Sequence, residues 1–355
     1  ELEKIGALFQ TTIDSEVILH LLSRSSHSDF SDALGETLGK IEGAFSLVML
    51  GENFLVAARD RHGFRPLVLG KKDNSYFVSS ETCALDLIGA EYIREIEPGE
   101  IIIISKEGII SFTIPSESVI QPAHCIFEHV YFSRPDSQVF GDSVHLVRKE
   151  MGRQLSIEHP AEADIVMSIP DSGNSAALGF AEQSGIPFEI GMTRNHYVGR
   201  TFIQPEQSIR DFSVKVKLNP IKHVLKGKRV VVVDDSLVRG TTAKRRVSAI
   251  LEAGATEVHL RISSPPIQFP CHMGIDTPDR DQLIAANKTT AEIMRFVGAN
   301  SLGFLSIDGM KRSTTAHKKS NYCSACFSGK YPLDIKNKGK YIKGHGKINL
   351  YAEKR

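Results

Sequence analysis

Arg229 to Thr242 read RVVVVDDSLVRGTT, an apolar run that breaks into two acids and then a loop of hydroxyls and a glycine. Four consecutive valines, Val230 to Val233, predict a strand covered on both faces, since a half-exposed strand would alternate. Asp234 and Asp235 stand at its carboxyl end, followed by Ser236, Arg239, Gly240, Thr241 and Thr242. In open α/β sheets, small molecules bind just beyond such strand ends. The loop runs into the helical segment TTAKRRVSAILEAG, whose free N–H groups suit a phosphate. Paired carboxylates suit the vicinal hydroxyls of a ribose, or a divalent cation bridging ribose and phosphates. A solvated acidic turn explains a lone acid pair but not this ordered combination. The chain holds no G-x-x-x-x-G-K-[ST] and no G-x-G-x-x-G after a strand, which argues against ATPase and NAD chemistry. The expected ligand is a sugar phosphate.

This stretch resembles the ribose-phosphate signature of the type I phosphoribosyltransferases. The resemblance implies that Asp234 and Asp235 hold the ribose hydroxyls of phosphoribosyl pyrophosphate (PRPP), with the loop on its 5′-phosphate. A second strand-loop-helix, Ile169-Pro170-Asp171-Ser172-Gly173 between DIVMSI and NSAALGFAEQSG, offers free N–H groups for a pyrophosphate. Alone it is a weak signal. Beside the ribose loop it would hold the other end of PRPP, with Ser172, Asp234 and Asp235 contributing oxygens to Mg²⁺. Between the two lie RNHYVGRTFIQP and RDFSVKVKLNP, carrying Arg194, Arg200, Arg210, Lys215 and Lys217 without helical periodicity. The segment reads as a solvated basic loop or as a mobile cover whose cations neutralise leaving pyrophosphate.

In this order, PDSGNSAALGFA, RNHYVGRTFIQP, KLNP, VVVVDDSLVRGTT and SSPPIQFPCHMGID resemble the glutamine PRPP amidotransferase family, up to about Tyr331. That resemblance implies the first committed step of purine synthesis. Glutamine-derived ammonia would displace pyrophosphate from C1 of PRPP and give phosphoribosylamine. His196 departs from the pattern, where relatives often carry Arg, so one phosphate contact is expected to be weaker.

Cys323 and Cys326 form a C-x-x-C, while Cys125 and Cys271 stand far upstream. Spacing leaves a metal, a redox pair or coincidence open, and four thiolates would serve either zinc or a 4Fe–4S cluster. The family resemblance favours the cluster. Its iron-sulfur branch carries ligands in contexts similar to Cys125-Ile126-Phe127-Glu128, Pro270-Cys271-His272-Met273-Gly274 and Cys323-Ser324-Ala325-Cys326-Phe327. Cys83 has no partner in this pattern and reads as a core cysteine.

GAFSLVML, ARDRHGFRPLVLG, SSETCAL and IEPGEI resemble the later half of an N-terminal-nucleophile glutaminase domain. Asp14 matches the family's acid for the amino group of glutamine, though a helix N-cap role is equally consistent. The chain begins with Glu1, and the family's nucleophilic N-terminal Cys has no counterpart. The sequence therefore reads as a fragment that lacks the glutaminase nucleophile. It is expected to use free ammonia, not glutamine, and to expose an apolar sheet edge that lowers solubility.

The elements that must position these residues fall into two domains, with a boundary near residues 112 to 124. Residues 1–115 read as an antiparallel β layer with helical stretches at Val17 to Leu22 and Phe30 to Leu38. Its strands are predicted at Ser46 to Leu50, Phe54 to Arg59, Leu67 to Leu69, Tyr76 to Ser79, Ile101 to Ser105 and Ile109 to Ile114. Residues 116–355 alternate strands at Asp164 to Ile169, Phe188 to Gly191, Arg229 to Val233 and Glu257 to Ile262 with helices near 174–184 and 242–253. This rhythm predicts a parallel sheet, and the fold class is α/β. At 355 residues and 41% hydrophobic content the chain is long enough for two cores. A net charge of +1 argues against nucleic-acid partners, and no apolar run approaches a membrane span. An odd cysteine count of 5 argues against a disulfide scaffold and for a reducing cytoplasm. Relatives of this kind imply a homo-oligomer, dimer or tetramer, and nucleotide feedback without an assignable residue. A PRPP-sensing regulator would add a DNA-binding module, and a base-salvage enzyme would need neither a glutaminase layer nor four matched cysteines.

Overall fold

A computed structural model describes residues 2–116, 119, 121–195, 218–317 and 319–335. The first half opens with helices α1 (Glu16–Leu22) and α2 (Phe30–Gly39). Asp29 starts α2 by accepting the N–H groups of Ser31 and Asp32, a side-chain cap that satisfies two otherwise orphaned donors. Strands β1 (Ser46–Leu50), β2 (Phe54–Arg59), β3 (Val68–Lys72) and β4 (Ser75–Ser79) come next, then α3 (Thr82–Ile88) and β5 (Glu91–Glu95). Strands β6 (Glu100–Ser105) and β7 (Gly108–Thr113) close this half.

The predicted single β layer is in fact two antiparallel sheets, one ordered β1-β2-β6-β7 and one ordered β4-β3-β5. The split follows from the alternation of side chains along each strand. Val56, Ala58, Ile101 and Ile103 pack beneath α1 and α2, while Ala57 and Ile102 face Leu69, Tyr76 and Val78 of the second sheet. The outer strands leave Val48, Leu50 and Ile110 exposed, at 50%, 86% and 59%, the apolar edge that the sequence led one to expect.

The second half carries β8 (His124–Cys125), α4 (Val144–Glu158), β9 (Ile165–Ser168) and α5 (Asn174–Ser184). It continues through β10 (Met192–Arg194), β11 (Leu218–Pro220), β12 (Arg229–Asp234), α6 (Thr241–Glu252) and β13 (Glu257–Ile262). It closes with α7 (Thr290–Val297), β14 (Ser301–Phe304), α8 (Ile307–Arg312), β15 (Tyr322–Cys323) and α9 (Ala325–Ser328). Four of these strands form a parallel sheet ordered β9-β12-β13-β14. Its two faces bury separate cores. Val230 and Val232 pack with Val247 and Ile250 of α6 and Ile293 of α7, whereas Val231 and Val233 pack with Met151 of α4 and Phe180 of α5. Helices on both sides account for the unbroken valine run.

The predicted strand at Phe188 to Gly191 is reduced to one parallel bridge, Val166 to Phe188. Pro187 supplies no N–H to extend the ladder, and the Gly191 N–H bonds back to Glu189 O at 3.0 Å, turning the chain away. Among the described residues, no helix is long and apolar enough to cross a membrane.

Candidate functional site at the carboxyl ends of the parallel strands

Asp234 ends β12 and Asp235 follows it, and both are buried at 4% and 6% exposure. Burial, and then the charge of Asp235, hold the Asp234 carboxyl well above the usual carboxylate range, while Arg246 opposes that shift. Arg246 reaches back from the second turn of α6 and places Nη1 2.7 Å from Asp234 Oδ2. Asp235 N–H donates to Asp234 Oδ1 at 3.1 Å, and the Ser236 hydroxyl donates to Asp235 Oδ1. The acids are therefore oriented by their own loop and one cation.

Gly240 stands just before α6 in the left-handed region, with φ of 76°, and supplies no capping side chain. The first-turn N–H groups of Thr241 and Thr242, both exposed, are left for an anion, as a phosphate site requires. Arg239 is exposed and donates from Nη2 to Gln282 Oε1 at 2.7 Å, so in this state it braces the loop.

Ile169 to Gly173 connect β9 to α5, with a cis peptide between Pro170 and Asp171. The Ser168 hydroxyl donates to Asn174 Oδ1 at 2.6 Å, tying the strand end to the first helical residue. A Cβ on Gly173 would lie 2.5 Å from Val233 O, so this turn lies directly against β12 one residue before Asp234. The two loops that sequence patterns picked out separately thus form one continuous rim. Ser172 sits within it, half-buried. Arg194 lies at the end of β10 and pairs with Asp171, Nη1 to Oδ2 at 2.8 Å, both side chains being mostly exposed. Arg200, Arg210, Lys215 and Lys217, and His196 with them, lie outside the described residues.

Asp14 is exposed in the turn before α1. Its N-cap role is not realised: Ser15 is the N-cap, and no side chain caps that helix. Sequence reasoning missed α4, which packs closely on α5. A Cβ on Gly152 would overlap Ala176 O, and one on Gly179 would overlap Lys149 O, so backbone meets backbone. His145, near the start of α4, shares a 2.9 Å hydrogen bond between Nδ1 and Ser175 Oγ in the first turn of α5.

The four far-spaced cysteines converge. Cys125 and Cys323 are register partners in the parallel pair β8 and β15. Cys326 O accepts the N–H groups of Gln268 and Phe269, each at 3.0 Å, which draws in the loop carrying Cys271. Tyr331 O–H donates to Pro270 O at 2.6 Å and anchors the C-terminal side. Burial pushes the Cys125 thiol up to about 12 and raises Cys326 too, with the neighbouring cysteines adding to both shifts. Among the described residues, no group of three or more His, Cys, Asp or Glu side chains is set to hold a metal ion, so the thiols converge without closing a cage around a single one. Cys83 is buried in the first half, as a core residue would be. A cavity of about 1560 Å³ opens between α2, α8 and residues 320–333. No residue of the two strand-end loops lines it, so its occupant is not their ligand.

Residues 1–86 match the glutamine amidotransferase domain family. Over 338 residues the chain is 51% identical to the chloroplastic amidophosphoribosyltransferase of Vigna aconitifolia, covering 95% of this chain and 69% of that one. Over another 338 it is 47% identical to the amidophosphoribosyltransferase of Bacillus subtilis, covering 94% and 71%. Against the chloroplastic amidophosphoribosyltransferase of Glycine max, 51% identity extends over 93% of this chain but only 58% of the relative's length. A solved structure of the allosteric regulatory enzyme of purine biosynthesis superposes with a TM-score of 0.88 at 46% identity, covering 95% of this chain and 73% of that one. The Bacillus subtilis glutamine PRPP amidotransferase complexed with ADP and GMP gives the same TM-score and identity, covering 74% of that chain.

Proposed function

The chain belongs to the amidophosphoribosyltransferase family, and from that premise we propose that it binds PRPP across its two strand-end loops and exchanges the pyrophosphate for ammonia. The observation that carries this reading is the approach of Gly173 to Val233 O, so close that a Cβ would overlap it, which sets the 169–173 turn beside the paired acids. Asp234 and Asp235 take the ribose hydroxyls, and Ser236, Gly240, Thr241 and Thr242 take the 5′-phosphate. Arg194, with Arg200, Lys217 and Arg239, supplies positive charge around the phosphates. Ammonia attacks C1 as the C1–O bond breaks. Pyrophosphate leaves with the bonding pair, and the new ammonium loses a proton to solvent, giving 5-phosphoribosylamine. The chemistry is pentosyl transfer, and the site works by orientation and charge rather than by acid–base groups.

Mg²⁺ fits this donor set. Two buried carboxylates and the Ser172 hydroxyl make no all-protein cage, and Mg²⁺ is commonly held by one or two carboxylates plus substrate phosphates. When bound, it supplies neutralisation of the pyrophosphate charge. The four converging cysteines would suit a 4Fe–4S cluster, since their thiols lie close enough to raise one another's proton affinity. Residues 1–115 form the glutamine-side layer, where Asp14 takes the substrate amino group, and residues 116–355 form the phosphoribosyl domain. The working protein is a cytoplasmic homo-oligomer, dimer or tetramer.

The test is pyrophosphate release from Mg²⁺-PRPP with ammonium ions, compared with adenine, guanine, hypoxanthine and uracil. Ammonium-dependent release abolished by Asp235→Asn is expected. Release only with a nucleobase would replace this reading with base salvage.

A further inference from the structure

The turn that would hold pyrophosphate carries only short local bracing of its own, Gly173 N–H to Ile169 O at 3.0 Å and Asn174 N–H to Asp171 O at 3.3 Å. Gly173 caps α5 without a side chain, and beyond Asn174 the first-turn N–H groups of that helix must stay free to meet an anion. Groups so freed keep their geometry only if something outside the turn fixes it. One brace comes from below, Ser168 to Asn174. The other comes from α4. Ser175, the second residue of α5, is 6% exposed and turned from solvent toward His145. His145 is itself held, its backbone N–H donating to Pro135 O at 3.1 Å. Two turns further along α4, Gly152 abuts Ala176, the next residue of α5. The first turn of α5 is therefore gripped at consecutive residues, Ser175 and Ala176, by one helix.

We propose that His145 is a positioning residue for pyrophosphate, holding the 171–176 turn through Ser175 without touching the ligand. This rests on the PRPP reading above. The ribose-phosphate loop is built on α6, on the opposite face of the sheet from α4, so loss of the His145 contact affects one end of PRPP and spares the other.

Inorganic pyrophosphate and ribose 5-phosphate, each with Mg²⁺, probe the two ends by calorimetry on the whole chain. For His145→Ala, the expected result is pyrophosphate binding weakened roughly five- to tenfold, the worth of one buried hydrogen bond, with ribose 5-phosphate within about twofold. KM for PRPP rises accordingly while kcat changes little. Ser175→Ala removes the same bond from the other side and gives the same pattern even where His145→Ala folds poorly. His145→Asn, which places a polar atom where Nδ1 stood, restores most of the affinity. Equal weakening of both ligands, or no change in either, would overturn the positioning role while leaving the PRPP reading in place. Wild-type protein that binds neither ligand would remove the reading and this inference with it.

Discussion

Arg246 Nη1 sits 2.7 Å from Asp234 Oδ2, so one of the two strand-end acids meets its cation from the very helix whose first turn faces the phosphate. Burial and Asp235 both favour the protonated form of Asp234, and Arg246 works against them. Arg246→Met should therefore leave a buried carboxylate without its partner, at a cost to folding of about 2–4 kcal/mol. It should also raise the proton affinity of Asp234 further. Binding of Mg²⁺-PRPP, which needs the ionised acids, should fall at pH 7 and recover as pH rises toward 9. Titration of binding across that range checks it, and an unchanged pH profile would count against the ion pair's role.

Gly173 leaves no room for a methyl group between the turn and β12. Gly173→Ala should push the turn off Val233, lowering PRPP affinity more than tenfold and costing roughly 1–3 kcal/mol of stability. Equilibrium binding and a urea melt separate the two effects.

Protein purified without oxygen should carry about four iron atoms and four sulfides per chain, with broad visible absorption. Cys326→Ser should lose the iron and lower the melting temperature, because the 322–331 segment is tied to the domain around that residue. Cys83→Ser should keep its iron, since Cys83 lies in the other half of the molecule.

His129 is fully buried among Phe140 and Tyr322, and neither ring nitrogen finds a hydrogen-bond partner among the described residues. Burial pulls its pKa down to about 4, with Arg148 and His317 acting the same way and Asp142 opposing. The fold thus keeps the ring neutral while the unfolded chain protonates it below about pH 6.5. Stability from this group is complete at neutral pH and is lost as pH falls from there toward 4, by about 2 kcal/mol at pH 5. His129→Phe should flatten that decline and add about 1 kcal/mol at pH 7 by removing unsatisfied polar atoms. Urea midpoints at pH 7.5 and 5 for both proteins provide the measurement.

The phosphate loops were legible because both signals are local. Continuous valines announce a two-sided strand, and acids with G-T-T announce a phosphate turn at its end. The bracing helix α4 was not, because its inward residues are interrupted by Arg148 and Gly152, and no side chain caps it at Ser143. Strand β5, EYIRE, has charges at both ends and hides its partly buried face in five residues. The split into two sheets depends on which face each side chain takes, and alternation alone does not say what lies opposite. The convergence of Cys125, Cys271, Cys323 and Cys326 spans just over 200 residues, so only family likeness placed them together before the fold did.

The bare backbone seam of Gly152 and Gly179 also predicts where sequence drift is forbidden. Any side chain at either position wedges α4 from α5 and carries the 171–176 turn with it. A mutational scan scored by PRPP affinity should thus find two of its least permissive sites at glycines that never meet the substrate.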